Sequence, residues 1–526
     1  MTTVVQRGRW LRSGVPSSGW AAAGLAAGLA AGVWLMASGC SGGGSHPSST
    51  GDPLLDVQNT ELPMSRRVKS IDEAWAEAQA GRYERDLTRK ALAEEIVWDR
   101  SSHPNLRLTA MRVLVSDETP GGAEFAQDLC AALLPTEDNR DIVELVSETS
   151  ARRGWTGLKP SLVRALATPV PRVEDLDRPE AAALRSLGGG QPLNNVVFDV
   201  FVEPLNDVEL GGQRAERVAT IRREAAWDLL ARLDPTGGQR MDLVRARLAS
   251  GSDEPALAAV VATTDTFGVI PVTGDELSWA VSLHDGSNAS NQAWWRETSA
   301  AVARLSPQAR AGLRMRHLEA IRWTAQHEPS RLSMTLAELI SEASARVAGR
   351  SVYQRSADSG MFGRNPSERL DRNARGLVWG DALALLAVDD ALQDPGVRAS
   401  LYGQAESDRA DETTEYGGAL ELIGAGREYI AAPYLPRPMQ REHDRKYVPP
   451  VELVRQTERA LAHYHFHVQD LRNEAFAGPG EGDLIYAARS GRTCLVLTSV
   501  DRDGTMNVDY FQPNGLIVDL GLIARP

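Results

Sequence analysis

Cysteine is scarce in this chain. There are three in 526 residues, and no pair has the CxxC spacing. That removes a zinc ribbon and a thioredoxin-like redox centre from the possible functions. The sequence also lacks a P-loop, a dinucleotide fingerprint, a G-x-S-x-G nucleophile elbow and an H-E-x-x-H zinc helix. Basic residues are in the minority, 57 Lys and Arg against 70 Asp and Glu, for a net charge of −13, and they are scattered. Scattered positive charge on an acidic chain excludes nucleic acid as a main partner and gives no polybasic surface for a membrane. Cys130 and Cys494 stand alone in the apolar stretches FAQDLCAALL and TCLVLTSV. They read as packing residues rather than as a disulfide.

What is present begins at the N-terminus. Arg7, Arg9 and Arg12 precede the apolar run AAAGLAAGLAAGVWLMA, then ASGC ending at Cys40, then the polar stretch SGGGSHPSSTG. An apolar core this short, closed by small residues, reads as a secretory signal rather than a spanning helix. A cysteine directly after Ser38-Gly39 resembles the lipobox of bacterial lipoproteins, although Ala37 stands where that family usually has Leu. The resemblance implies a signal peptide over 1–39, lipid on Cys40 and a flexible tether over 40–60; the alternative is an ordinary signal peptide cut nearby. Because Ser41 is not an aspartate, the implied destination in a double-membrane bacterium is the outer membrane facing the periplasm. The lipid on Cys40 is then the only membrane contact required.

The length allows two or three domains, and two textures divide the chain. Residues 61–401 read as helical. In RLSMTLAELISEASARVAG, the residues Leu332, Leu336, Leu339, Ile340, Ala343 and Val347 form one stripe, with Pro329-Ser330 as a start signal and Gly349 as a stop. Helices such as NLRLTAMRVLVSD and ATIRREAAWDLLARLDPTGG carry an aspartate near the end. They resemble the second helix of HEAT-like repeats, which implies a solenoid that binds a protein or peptide partner. No steady period is legible, and an irregular helical domain is the alternative. Trp294, Trp295 and Trp323 fall at helical positions and predict interhelix packing. The stretch 356–376 has no apolar period and predicts a long loop.

Residues 405–526 read as an α+β domain. GGALELIGAG and REYIAAPYLPRP suggest two strands; PPVELVRQTERALAHYHFHVQ suggests a helix running into a strand. DLIYAARSG, RTCLVLTSV, TMNVDYFQPNG and LIVDLGLIARP suggest four more strands, separated by turns such as Asp503-Gly504 and Asn514-Gly515. DRDG is a hairpin turn, since the other ligands of a calcium loop are missing.

Three of the nine histidines, His463, His465 and His467, alternate in AHYHFH, and Asp483 follows a glycine-rich turn. Residues two apart on a strand share a face, so all three imidazoles point one way and Tyr464 and Phe466 the other. Two imidazoles and a carboxylate make a three-ligand zinc set with a fourth position open. A His-rich surface strand is the alternative.

The last 120 or so residues resemble the JAMM (MPN) metallo-isopeptidase family, whose pattern is E-x-x-G-x-L, then H-x-H-P, then S-x-x-D. TEYGGALEL offers Glu415, Gly418 and Leu420; His465-Phe466-His467 matches the histidine pair, preceded by Tyr464; Asp483 stands in the place of the last ligand. The resemblance implies zinc on His465, His467 and Asp483, Glu415 as general base, and His463 as a neighbouring pocket residue. Glu481 is an alternative carboxylate. The chain departs from the pattern at Val468, where the family has proline, and at Gly480, where it has the serine that helps stabilise an oxyanion. Backbone N–H groups of the Gly478–Gly482 turn are possible substitutes for that hydroxyl.

Three functions follow as expectations. One is an exported, lipid-anchored zinc hydrolase cutting peptide or isopeptide bonds, positioned by its helical region. A second is an inactive JAMM-like binding module on a helical interaction scaffold, favoured by Gly480. A third is a purely structural envelope protein, which predicts no metal.

Overall fold

A computed structural model of the chain describes residues 49–204, 212–357, 367–422, 428–444 and 446–526. The leader and Cys40 lie outside the described residues, as do 358–366 of the expected long loop and 423–427 of the expected first turn. No described helix is long and apolar enough to cross a membrane.

From Pro53–Gln58 to Pro395–Arg409 one helix follows another, and the strands come after them. The chain is therefore a helical region followed by an α+β region built on a six-stranded sheet. The helices start where capping chemistry dictates. The stripe expected from Pro329 to Gly349 is split: Pro329–Ser333 is a short 3-10 turn, and the α-helix is Leu336–Val347. Thr335 and Glu338 decide that start. Thr335 Oγ1 accepts from the Glu338 N–H at 3.3 Å, and the Glu338 carboxylate accepts from the Thr335 N–H at 2.7 Å. The described part of the 356–376 segment contains a helical turn, Leu370–Asn373, followed by a 3-10 turn, Ala374–Gly376.

Two large apolar clusters form the interior. One runs from Val57 to Leu277 and contains no strand residue. The other runs from Ala259 to Ile523 and joins the later helices to one face of the sheet. Trp294 and Trp323 are buried in this second cluster. Polar contacts reinforce the junction. Trp279 on helix Gly274–His284 donates to the Val454 carbonyl at 2.7 Å, and the buried Arg492 guanidinium lies 3.3 Å from the Trp279 ring centroid. The sheet and the helices before it thus share one core.

The strands are β1 (Gly417–Leu422), β2 (Tyr429–Pro433), β3 (Ala462–His467), β4 (Cys494–Ser499), β5 (Met506–Phe511) and β6 (Ile517–Ile523). Their order is β2-β1-β3-β4-β5-β6, with every pair antiparallel except β3 and β4. A parallel pair needs a crossover. That requirement corrects one sequence expectation: DLIYAARSG is not a strand but most of the helix Glu481–Ser490 that joins β3 to β4. It ends at Gly491, whose positive φ of 74° suits glycine. The helix lays Leu484, Tyr486 and Ala487 on Cys494, Val496, Phe511 and Ile517. Tyr464 and Phe466 face the opposite, larger core. Cys130 and Cys494 are both buried and unpaired with each other.

Candidate metal centre

Strand alternation puts His463, His465 and His467 on the face covered by the crossover helix, and all three are buried. They do not share one role. The His463 ring nitrogens are both occupied, Nε2 with the Thr457 hydroxyl at 2.8 Å and Nδ1 with the Tyr486 hydroxyl at 2.8 Å. Burial holds its pKa well below the usual value, so it is a neutral tie between β3 and the crossover helix.

His465 and His467 turn their Nε2 atoms towards each other at 3.3 Å. Asp483, in the first turn of the crossover helix, meets them with Oδ1 3.3 Å from His465 Nε2 and Oδ2 3.8 Å from His467 Nε2. These three residues form a group that can hold a metal ion. The tautomer of His467 follows from its second nitrogen: Nδ1–H donates to the Phe476 carbonyl at 2.9 Å, which leaves the Nε2 lone pair aimed at the cluster. Burial lowers the pKa of His467 to about 4. Burial also opposes protonation of His465, but Asp483 and then Glu415 outweigh it and raise its pKa. Asp483 is itself held well below the usual carboxylate range, against its burial, by His465, His467 and the Gly480 N–H, which donates to Oδ2 at 2.7 Å. Glu481, the alternative carboxylate, is solvent-exposed and outside this group.

Glu415 stands just before β1. Continuing the Gly417–His465 register by two residues sets it across from His467, and the Phe466 N–H bond to the Tyr416 carbonyl supports that continuation. Gly417 has no side chain because there is no room for one: a Cβ would lie 2.6 Å from the Tyr447 ring, which runs parallel to the His465 ring. Burial pushes the Glu415 carboxyl up to about 7, against the pull of His465. Gln469 Nε2 donates to Glu415 Oε1 at 2.6 Å, and Asn473 holds Gln469 Oε1 at 3.1 Å and the His467 carbonyl at 3.1 Å. Asp408, on helix Pro395–Arg409, accepts from the Tyr416 N–H at 2.8 Å, and burial pushes its pKa to about 8. It is therefore largely protonated at neutral pH and adds little negative charge beside Glu415.

Sequence reading brought together His465, His467 and Asp483 and put Glu415 nearby. It missed Gln469, Asn473, Asp408 and Tyr486. Gln469 had a signal, since it continues the alternation 463, 465, 467. Asp408 had none, because only the fold packs helix Pro395–Arg409 on β2 and turns Asp408 to the Tyr416 N–H. Comparisons with protein families, curated proteins and solved structures found no match to this chain.

Proposed function

We propose that this chain is an exported, lipid-anchored zinc metallohydrolase of JAMM type that cleaves peptide or isopeptide bonds. Cys40 is the proposed anchor in the bacterial envelope. One observation carries the reading. The His467 Nδ1–H bond to a backbone carbonyl commits its Nε2 lone pair to a point shared with His465 Nε2 and Asp483. The spacing suits zinc. With bonds of about 2.0–2.1 Å, tetrahedral ligands stand about 3.3 Å apart; His465 Nε2 lies 3.3 Å from His467 Nε2 and 3.3 Å from Asp483 Oδ1, while the other carboxylate oxygen, Oδ2, lies 3.8 Å from His467 Nε2.

Zinc held there supplies Lewis acidity at neutral pH. Glu415, with a pKa near 7 and fixed by Gln469, is poised to take a proton from the attacking water and return it to the leaving nitrogen. Phe476 and Gly480 hold His467 and Asp483 through backbone groups, so the ligand set is oriented before a substrate arrives. A second reading, an inactive binding module, is favoured by Gly480, which offers no hydroxyl to an oxyanion.

The test uses the whole chain from residue 40, because the sheet shares its core with the helices. Zinc content is expected to fall from about one per chain to background in a His465→Ala, His467→Ala variant. Equal content in the two proteins would remove the metal centre. Cleavage of a mixed peptide library, read by mass spectrometry, is expected to drop by ~10²–10⁴-fold in Glu415→Gln with zinc retained. Unchanged turnover in that variant removes Glu415 as the base. Zinc without any cleavage by the unaltered chain selects the binding module.

A further inference from the structure

The segment that follows helix Leu336–Val347 leaves the helices and crosses the sheet towards the candidate centre. Its path is closely fastened. Arg350 pairs with Asp389 at 2.7 Å and donates to the Leu520 carbonyl at 2.9 Å. The Tyr353 N–H donates to Asp519 at 2.7 Å and the Arg355 N–H to Glu368 at 3.3 Å. The Ser356 and Ala357 N–H groups both reach the Ala475 carbonyl, at 3.0 and 2.7 Å. The backbone around Arg355 is thus held from several directions.

The Arg355 side chain lies along the turn that leads from His467 to Asp483. Its Nη1 donates to the Gly478 carbonyl at 3.3 Å, and the guanidinium sits 5.3 Å from the Phe476 ring centroid. Its Nη2 is 3.6 Å from the point where a Cβ at residue 480 would stand, and Asp483 Oδ2 is 3.5 Å from that same point. A guanidinium from the helical region and a ligand carboxylate therefore flank one position, which glycine leaves without a side chain. Two neutral imidazoles and one carboxylate around a divalent ion would leave net positive charge, with the Arg355 guanidinium on the far side of residue 480. Such a pocket favours an anionic oxygen, which an arginine binds strongly through charge-assisted hydrogen bonds.

We propose that Arg355 is the anion-binding arm of this centre, holding an anionic oxygen of the ligand beside the ion on His465, His467 and Asp483. The inference rests on the metal-centre reading and deepens it. It assigns to a residue outside the sheet the task for which residue 480 has no side chain. The oxygen belongs either to a carboxylate of the ligand or to a tetrahedral oxyanion, and the two are separable.

The experiment loads the chain from residue 40 with cobalt(II) and follows the visible spectrum while inorganic phosphate, or separately acetate, is added. Phosphate is expected to perturb the spectrum, with an affinity ~10–100-fold weaker in Arg355→Ala and partly restored in Arg355→Lys. Gly480→Ser on the Arg355→Ala background is expected to recover part of the loss by placing a hydroxyl at the shared point. Equal losses for phosphate and acetate assign Arg355 to carboxylate recognition; a loss confined to phosphate assigns it to a tetrahedral oxyanion. Cobalt stoichiometry and circular dichroism of each variant control for folding. Phosphate affinity within about twofold of the parent in a folded, cobalt-loaded Arg355→Ala overturns the proposal, as does a parent spectrum indifferent to phosphate. Failure of the parent to take up cobalt would instead overturn the metal centre, and this inference with it.

Discussion

Two buried groupings in this molecule are made of histidine and aspartate, and they end in opposite states. In the helical region, His317 and Asp381 form a closed unit. The Arg314 N–H donates to His317 Nδ1 at 3.0 Å, which fixes the tautomer so that Nε2–H donates to Asp381 Oδ1 at 2.7 Å. Asp381 also accepts from Arg316 at 2.9 Å and from the Val378 N–H at 3.0 Å. Each polar atom of that ring has a partner of the right kind. At the sheet, His465 and His467 bring two Nε2 atoms and a carboxylate to one point, and acceptors converge there without enough protons to pair them. The residue types are the same in both places and the histidines are buried in both, although Asp483 is more open to solvent than Asp381. What separates a structural histidine from a ligand is whether its second nitrogen is left aimed at other acceptors.

The largest test of that contrast exchanges the two readouts. His317→Ala is expected to cost about 3 kcal/mol of stability, from lost packing and an Asp381 left with fewer partners, while zinc content stays unchanged. Denaturant unfolding and metal analysis of one preparation check both halves. A His317→Ala protein that loses zinc would erase the distinction between the groupings.

Proton linkage should separate His317 from His465 by sign in the metal-free protein, whereas His467, lowered to about 4 by burial, shifts in the same direction as His317. Burial takes the His317 pKa from 6.5 down to about 4, with Arg316 adding to the effect and Asp381 opposing it. Below pH 6.5 the unfolded chain takes up a proton that the folded chain refuses until pH 4. This grouping is therefore most favourable above 6.5 and weakens as pH falls. The loss is on the order of 3 kcal/mol across that window, because the ring is fully buried. His465 has a raised pKa, so its contribution is present below its unfolded value and lost as pH rises through the folded one. The non-titrating His317→Gln is expected to flatten the acid limb of the stability profile by about 1.4 kcal/mol per pH unit. Imidazole NMR titration should find His317 shifted down and His465 shifted up.

How far the sequence announced these groupings depends on how local each signal is. The alternation in AHYHFH was enough to put His465 and His467 on one face, and turn dipeptides bounded β4, β5 and β6. DLIYAARSG misled because a short apolar run between turn signals has no decisive period. Only the parallel pairing of β3 with β4 demands a helix there. The capping box at Thr335-x-x-Glu338 is a legible signal in the sequence, and it outweighs Pro329-Ser330 as the start of this helix. His317 with Asp381, and Arg355 with the turn before Asp483, had no sequence signal, since their partners lie 64 and more than 100 residues away and only packing joins them.

The smallest predicted effect compares the two glycines that border the groupings. At Gly380 an added Cβ would sit 2.4 Å from His317 Nδ1 and 2.6 Å from Cγ, so a side chain must displace the closed unit. Gly380→Ala is expected to cost about 1–3 kcal/mol by overpacking. Gly480 has an ordinary extended backbone, φ −80° and ψ 178°, and an added Cβ meets nothing nearer than 3.5 Å. It also occupies the N-cap of the crossover helix, where serine is preferred over glycine by only a few tenths of a kcal/mol. Gly480→Ser should therefore leave thermal stability unchanged or slightly raised, within about 1 kcal/mol. Its effect should appear instead in anion affinity, because the new hydroxyl enters the space between Asp483 and Arg355. A Gly480→Ser protein destabilised as much as Gly380→Ala would mean that the second grouping is as closed as the first, with no room for a ligand at residue 480.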